Sequence, residues 1–155
     1  MNHTSNYNYI LEFNQMLKEC DSIYHNAAVK AGLSDCAFWI LYTLQDSTRT
    51  YTQSEICDDG FMPKQTVNSA LKKMEKDGYL TLHPIPGKKG KYIQLTETGQ
   101  AFVQRKIVPI MKAEENACAQ FTSDEKFAFL NTFRGFVNCL KTEVTSVQEE
   151  NGNEK

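Results

Sequence analysis

Hydrophobic positions recur at helical spacing over most of the chain. From about Asn8 to Ala31 the residues Phe13, Leu17, Cys20, Tyr24, Ala27 and Ala31 follow at intervals of 4, 3, 4, 3 and 4. That spacing draws one continuous seam along a long helix. Gly32 ends it. Ser34 is placed to cap a second helix, with Asp35 beside its positive end. Phe38, Leu41, Tyr42 and Trp39 are the core-facing candidates of that helix. Gln45 to Tyr51 reads as a polar connection. Thr52-Gln53-Ser54-Glu55 has the form of a capping box and opens a short helix, Gln53 to about Asp58, which breaks at Asp59-Gly60. A longer helix then runs from Pro63, suited to a first helical position, to Gly78, suited to the left-handed residue just past a helix end.

Within this longer helix Val67, Ala70, Leu71 and Met74 fall on one side. Gln65, Asn68, Ser69, Lys72 and Lys76 share the opposite arc, which carries amides, a hydroxyl and cations but no acid. Amide side chains read adenine edges and lysine neutralises phosphate, so the face has the composition of a recognition helix. Short helix, tight turn and longer polar-faced helix together predict a helix-turn-helix. Tyr79 to His83 and Lys91 to Leu95 are short β-prone runs separated by Pro84-Ile85-Pro86-Gly87-Lys88-Lys89-Gly90. This is the pattern of a β-hairpin wing. Taken alone, the polar-faced helix is as consistent with an ordinary surface helix; the attached wing turns the reading to a DNA-binding winged helix.

Beyond the wing, Thr96 caps a helix from Glu97 to about Cys118, with Phe102, Val103, Ile107, Ile110 and Met111 on its buried side. Pro109 lies inside it and should kink it by removing a backbone donor. Thr122-Ser123-Asp124-Glu125 is a second capping box, opening a last helix in which Leu130, Phe133, Val137, Leu140 and Val144 alternate by 3 and 4. Phe127, Phe129 and Phe136 widen that surface beyond what one neighbour covers. The expected fold is mainly α with a small β-wing (α+β): a winged helix-turn-helix flanked by long N- and C-terminal dimerisation helices. The expected division is an N-terminal dimerisation helix over 1–32 and the winged helix over 33–96. C-terminal dimerisation helices follow over 97–147, then a flexible tail over 148–155. The excess apolar surface of the flanking helices implies an obligate homodimer.

Composition narrows the class. A chain of 155 residues with 41% apolar content is one domain, or one domain with an extension, and has enough for a core. Its apolar run Ala37–Tyr42 is far too short for a membrane span, and the polar, uncharged start Met1-Asn2-His3-Thr4-Ser5-Asn6 is no secretory signal. Five scattered cysteines without a C-x-x-C fit reduced thiols and a cytoplasmic location. The net charge of −2 looks unfavourable for nucleic acid, but its distribution is not. Between residues 61 and 94 seven lysines face only Glu75 and Asp77, a balance of +5, and the remainder carries −7. Positive field is thereby concentrated where a phosphate backbone would dock.

At this point the chain resembles the MarR family of bacterial transcription regulators over nearly its whole length. The matching elements are Thr52-Gln53-Ser54-Glu55, Lys64-Gln65-Thr66-Val67, Leu71-x-x-Met74-Glu75-x-x-Gly78-Tyr79-Leu80 and Ile93-x-Leu95-Thr96-x-x-Gly99. The resemblance implies a homodimer on a palindromic operator in double-stranded DNA. One recognition helix enters each major-groove half-site, and wings lie along the flanking minor groove. It implies a repressor released by a small phenolic or aromatic effector, for which Phe38, Trp39 and Tyr42 are the nearby aromatics. Recognition-helix contacts would fall on Lys64, Gln65, Thr66, Asn68, Ser69 and Lys72, following Pro63. Contacts from the preceding helix would fall on Thr52, Gln53 and Ser54, and wing contacts on Lys88, Lys89 and Lys91. Two departures stand out. Gly87 and Lys89 occupy positions where family wings commonly carry an aspartate and a minor-groove arginine, and Ser69 replaces a frequent arginine. Lysine keeps the charge but lacks the planar fork, which implies more backbone-dominated wing contacts.

Other chemistry finds little support. No nucleophile elbow, phosphate-cradling glycine loop or revealing carboxylate pair is present, so no enzyme is expected. No cofactor is expected either. Cys20 and His25 lie five apart on a helix and point in different directions, so no metal site is expected. Cys20 lies in the region where thiol-switch members of the family carry their reactive cysteine and is the candidate redox residue. It equally suits a small apolar seam position. The alternatives to an effector-controlled repressor are therefore a redox-sensing regulator of the same fold and a winged-helix protein-interaction module that does not bind DNA.

Overall fold

Capping sets most of the helix boundaries. The computed structural model describes residues 3–152 except Ser47, Phe61, Lys88 and Lys89. Its elements are α1 (His3–Ala31), α2 (Asp35–Leu44), β1 (Tyr51–Thr52), α3 (Gln53–Asp59) and α4 (Lys64–Lys76), followed by β2 (Leu80–Pro84), β3 (Lys91–Leu95), α5 (Glu97–Lys106), α6 (Val108–Cys118) and α7 (Ser123–Gly152). Ser34 caps α2 by accepting the Ala37 N–H at 3.3 Å. Thr96 caps α5 in the same way, accepting from Gly99 at 3.0 Å. Both capping boxes form: Glu55 at α3 and Glu125 at α7 each reach back to the backbone N–H of the threonine that caps their helix. The predicted mainly α chain with a β-wing is what forms.

The three strands make one antiparallel sheet in the order β1-β3-β2, with Leu80 opposite Leu95 and Tyr51 opposite Ile93. Pro84, which has no N–H to give a ladder, sits at the end of the edge strand β2. One core lies beneath this sheet and the helix-turn-helix. Phe38, Ile40 and Leu41 come to it from α2, Ile56 from α3, and Val67, Leu71 and Met74 from α4. Leu80, Ile93, Phe102, Val103 and Ile107 complete it. Trp39 and Tyr42 are only half-buried at its margin.

Four local expectations shift. Pro63 is the N-cap of α4 and not its first residue: its ψ of 133° is extended, and its carbonyl takes the first helical bond, from Val67 at 3.1 Å. The connection before α3 ends in a two-residue strand, too short for alternation to reveal it. The helix expected to kink at Pro109 breaks two residues earlier, at Ile107. Pro109 has no N–H to return to the Arg105 carbonyl, so Ile107 closes α5 through Val103 and α6 restarts at Val108. Finally, α1 begins at His3, before the seam does, and α7 continues to Gly152.

The chain divides into two packed units, Met1–Met111 and Lys112–Lys155. The first holds the winged helix and α1. Along α1, Ala28 is fully buried and Tyr24, Ala27 and Ala31 pack against the core, whereas Ile10, Leu11, Met16 and Leu17 are exposed. In the second, α7 shows Leu130, Val137, Leu140 and Val144 largely exposed, and Phe127 is 74% exposed. No helix among the described residues is long and apolar enough to cross a membrane.

At Gly99 the backbone of α5 lies close against that of Tyr79. A Cβ there would overlap the Tyr79 carbonyl oxygen and lie 2.8 Å from its carbon. Because backbone cannot give way as a flexible side chain does, Gly99→Ala should cost at least about 2–3 kcal/mol. Urea denaturation should show this as a lower midpoint with an unchanged slope.

Candidate nucleic-acid interface

The helix-turn-helix is assembled from short, local bonds. At the start of α3, Thr52 N–H donates to Glu55 Oε2 at 2.7 Å and Glu55 N–H donates to Thr52 Oγ1 at 3.3 Å. The bonds that the Thr52 N–H and hydroxyl both donate to Glu55 Oε2, with a smaller contribution from Arg49, hold the Glu55 carboxyl below its ordinary pKa. The turn between α3 and α4 is tied by Met62 N–H to the Cys57 carbonyl at 3.0 Å. The Gln53 amide crosses to the Lys64 carbonyl at 3.5 Å and links the two helix starts. Three buried side chains, Val67, Leu71 and Met74, fasten α4 to the core.

The other side of α4 faces solvent. Lys64, Gln65, Thr66, Ser69 and Lys72 are exposed and Asn68 is half-buried, so none of the six is used up in the core. Ser69 Oγ donates to the Gln65 carbonyl at 2.9 Å, which leaves the hydroxyl an acceptor only. At the far end Gly78, with φ of +78°, closes a Schellman motif: Tyr79 N–H reaches the Met74 carbonyl and Gly78 N–H that of Glu75. Thr96 Oγ1 then donates to the Gly78 carbonyl at 2.6 Å, and Thr96 N–H to Tyr79 at 3.1 Å. The end of α4, the wing base and the start of α5 are therefore one bonded junction.

The wing is an antiparallel pair running from Leu80↔Leu95 to Pro84↔Lys91. Its tip closes through Ile85 N–H to the Gly90 carbonyl, and Gly87 takes φ of +71°. Across the pair His83 stacks on Tyr92 with ring centres 4.9 Å apart, and His83 Nε2 lies 2.8 Å from Thr81 Oγ1. Lys91 is exposed at the base of the tip. Lys88 and Lys89 lie outside the described residues.

This geometry is shared with known proteins. Residues 31–89 match the sequence model of the MarR family. Over these residues the chain is similar to the MarR family. It is 28% identical over 106 residues to the uncharacterized HTH-type transcriptional regulator YwoH of Bacillus subtilis, spanning 68% of this chain and 77% of YwoH. A MarR family regulator from Neisseria meningitidis has a similar structure, with a TM-score of 0.77 at 18% identity, covering 94% of this chain and 99% of that one. MepR of Staphylococcus aureus in its DNA-binding conformation superposes with a TM-score of 0.73 at 16% identity, over 85% and 98% of the two chains. The shared fold is that of a MarR-family transcriptional regulator.

Against this MarR-family frame, the other residues singled out by sequence fall into place unevenly. Ser54 is exposed on α3, whereas the Thr52 hydroxyl is engaged in the capping box and the Gln53 amide in the turn. Cys20 is exposed on α1. Burial pushes the thiols of Cys36 and Cys57 upward, which makes both poor nucleophiles. The aromatics Phe38, Trp39 and Tyr42 pack on one another and on Tyr24, with Tyr24 and Trp39 rings 4.8 Å apart. No grouping of three or more potential metal ligands occurs among the described residues.

Arg49 was not singled out by sequence. Its guanidinium reaches Glu55 at 3.3 Å and Asp59 at 3.7 Å and lies 4.6 Å over the Tyr51 ring. The signal was a lone cation six and ten residues before two acids of α3, which gains meaning only once β1 turns the chain back. Glu55 joins this cluster to the cap, so Glu55→Ala should destabilise the fold by about 1 kcal/mol at neutral pH. Because its folded pKa is depressed, that contribution is complete above the ordinary glutamate range. It is lost as the pH falls through the lowered folded value. Chemical denaturation of parent and variant across acidic pH should show the two converging only below the ordinary glutamate range.

Proposed function

We propose that the protein is a sequence-specific, double-stranded DNA-binding repressor that acts in the cytoplasm as a homodimer on a palindromic operator. The observation that carries this reading is the exposed face of α4, where Lys64, Gln65, Thr66, Ser69 and Lys72 stand together without an acid, beside the wing. In this reading each α4 enters one major groove, Asn68 and Gln65 read base edges, and the lysines bind phosphate. The capping threonine Thr52 and Pro63 position the helices, and Ser54 offers a hydroxyl to the backbone. MepR of S. aureus, with this fold, is known in complex with DNA.

Homodimerisation is supported by the exposed seams. Leu17 on α1 and Leu140 and Val144 on α7 are each at least 41% exposed, on faces whose spacing suits a second helix. Burying such stripes against a second copy removes several large side chains from water, each worth about 1.5–3 kcal/mol when fully buried. Release by a small aromatic effector is part of the proposal. S. aureus MarR, also of this fold, is known in complex with salicylate, and the aromatic cluster of α1 and α2 provides a surface of matching chemistry here.

Two measurements test the reading. Sedimentation of the parent protein at micromolar concentration should show a dimer, and Leu140→Asp should shift it to monomer or aggregate; a folded, monomeric parent overturns the homodimer. For DNA, an operator selected from random duplexes and a scrambled duplex are compared over a salt series. Asn68→Ala should lose about 1–3 kcal/mol of discrimination at one base position per half-site and keep its salt slope. Lys88→Ala with Lys89→Ala should weaken both duplexes alike and reduce the slope of log K against log salt by about 3 to 4 in a dimer. The opposite pattern reverses the assignment, and retention of neither duplex ends it.

A further inference from the structure

A cleft of about 690 Å³ opens on the first unit, lined by no residue of α4. Its walls are the end of α2, the segment leading to β1, strand β3 and α5, and its size is that of small-molecule sites. Leu44, Ile93 and Val103 line it and are themselves nearly buried, which gives the cleft an apolar floor. The rim is of a different kind. It carries four glutamines, Gln45, Gln94, Gln100 and Gln104, drawn from three separate elements. No bond to any of these four side-chain amides occurs among the described residues, so each has two donors and an acceptor to offer.

The charges at the cleft decide the class of occupant. Arg49 lines it but is already paired with Glu55 and Asp59. Asp46 also lines it: its Oδ1 takes both Thr48 bonds, from the backbone N–H at 3.0 Å and the hydroxyl at 2.5 Å, and Oδ2 has no hydrogen-bond partner among the described residues. One cation among three carboxylates leaves the neighbourhood net negative, which disfavours an anionic ligand. What remains on offer is an apolar floor, unpaired amides and one free carboxylate oxygen. We propose that this cleft binds a flat, uncharged amino-heterocycle of the nucleobase class. Its ring rests on Leu44, Ile93 and Val103, its exocyclic amine donates to Asp46 Oδ2, and its donor–acceptor edge pairs with a glutamine amide, the bidentate match that amides make with bases. The walls include β3 and the residues entering β1, so the occupant sits against the wing base and the start of α3.

The ligand site does not require the DNA-binding reading, and the two are measured separately. Uniformly labelled full-length protein is titrated with cytosine and with 2-aminopurine while backbone amides are followed by NMR, with salicylate as the anionic comparison. At least one of the two bases should shift the amides of Gln45, Gln94, Gln100 and Gln104 saturably, with millimolar or tighter affinity, and salicylate should leave them in place. Gln100→Leu with Gln104→Leu, at exposed α5 positions that leave the core intact, should weaken that binding by about tenfold or more. The proposal is overturned if neither base moves these amides at about 5 mM, if the shifts map elsewhere, or if the double variant binds as well as the parent. Failure to retain duplex DNA in the separate salt series would overturn the DNA reading and leave this result standing.

Discussion

Everything that α4 presents depends on how it is held, and it is held from one side only. A helix whose outer face must stay free for another molecule can spend only its inner stripe on stability, and here that stripe is Val67, Leu71 and Met74. All three are almost completely buried. At about 1.5–3 kcal/mol for each fully buried side chain, they outweigh the modest helix propensity of Thr66, Val67, Asn68 and Ser69. Burial fixes the rotation of the helix about its own axis, but burial is non-directional and sets the axial position poorly. That is done at the two ends. The Gln53 amide holds the first turn at Lys64, and Thr96 gathers Gly78, Tyr79 and Gly99 at the last. The wing leaves that second junction directly, so the separation of wing and α4 is fixed by the same few bonds.

Most of this was legible in the sequence, for identifiable reasons. Capping boxes, the Gly78 stop and the 3-and-4 spacing are local signals, and local signals survive without knowledge of the fold. The capping roles of Ser34, Thr52, Thr96 and Thr122 all appear where the pattern placed them. What escaped was either short or non-local. A two-residue strand has no periodicity to detect, and β1 exists only because β3 is beside it. Arg49 acquires partners only through that strand. Pro109 signalled a disturbance but not its size, because whether a missing N–H bends or breaks a helix depends on what the neighbouring residue packs against. Ile107 is fully buried and stays anchored while the chain restarts beyond it. In the helix-turn-helix, the sequence showed which residue types share a face but not that the Gln53 amide is already bonded to Lys64.

The electrostatics of this surface are more local than net charge conveys. A chain at −2 overall concentrates its lysines around α4 and the wing, yet α3, the other helix of the motif, carries Glu55, Asp58 and Asp59. Three carboxylates on a seven-residue helix beside a lysine-bearing helix would oppose the field of its lysines. The structure answers this within the fold. Glu55 is turned inward onto its own helix cap, and Arg49 bridges it to Asp59 while resting on Tyr51. Exposed ion pairs contribute little to stability, and this one is half-exposed. Its consequence is instead for the field: two acids of α3 are offset by a cation of their own and not by the lysines of α4.

The same arrangement explains why the acid-rich end of the motif is compatible with a helix start. An N-terminus favours negative charge, so Glu55 stabilises α3 where a lysine would not, and the bonds from Thr52, with less from Arg49, hold its carboxyl ionised by lowering its pKa. Stability therefore asks for an acid at a place where it would offset the field of the nearby lysines. Placing the acid in a capping box and covering it with Arg49 satisfies both requirements, because the carboxylate is then committed to backbone and guanidinium. The arginine must come from outside α3 to do this, since a cation within the first turn would face the helix dipole. β1 supplies the turn that brings it back, and the short strand earns its place by positioning Arg49 as much as by pairing with the wing.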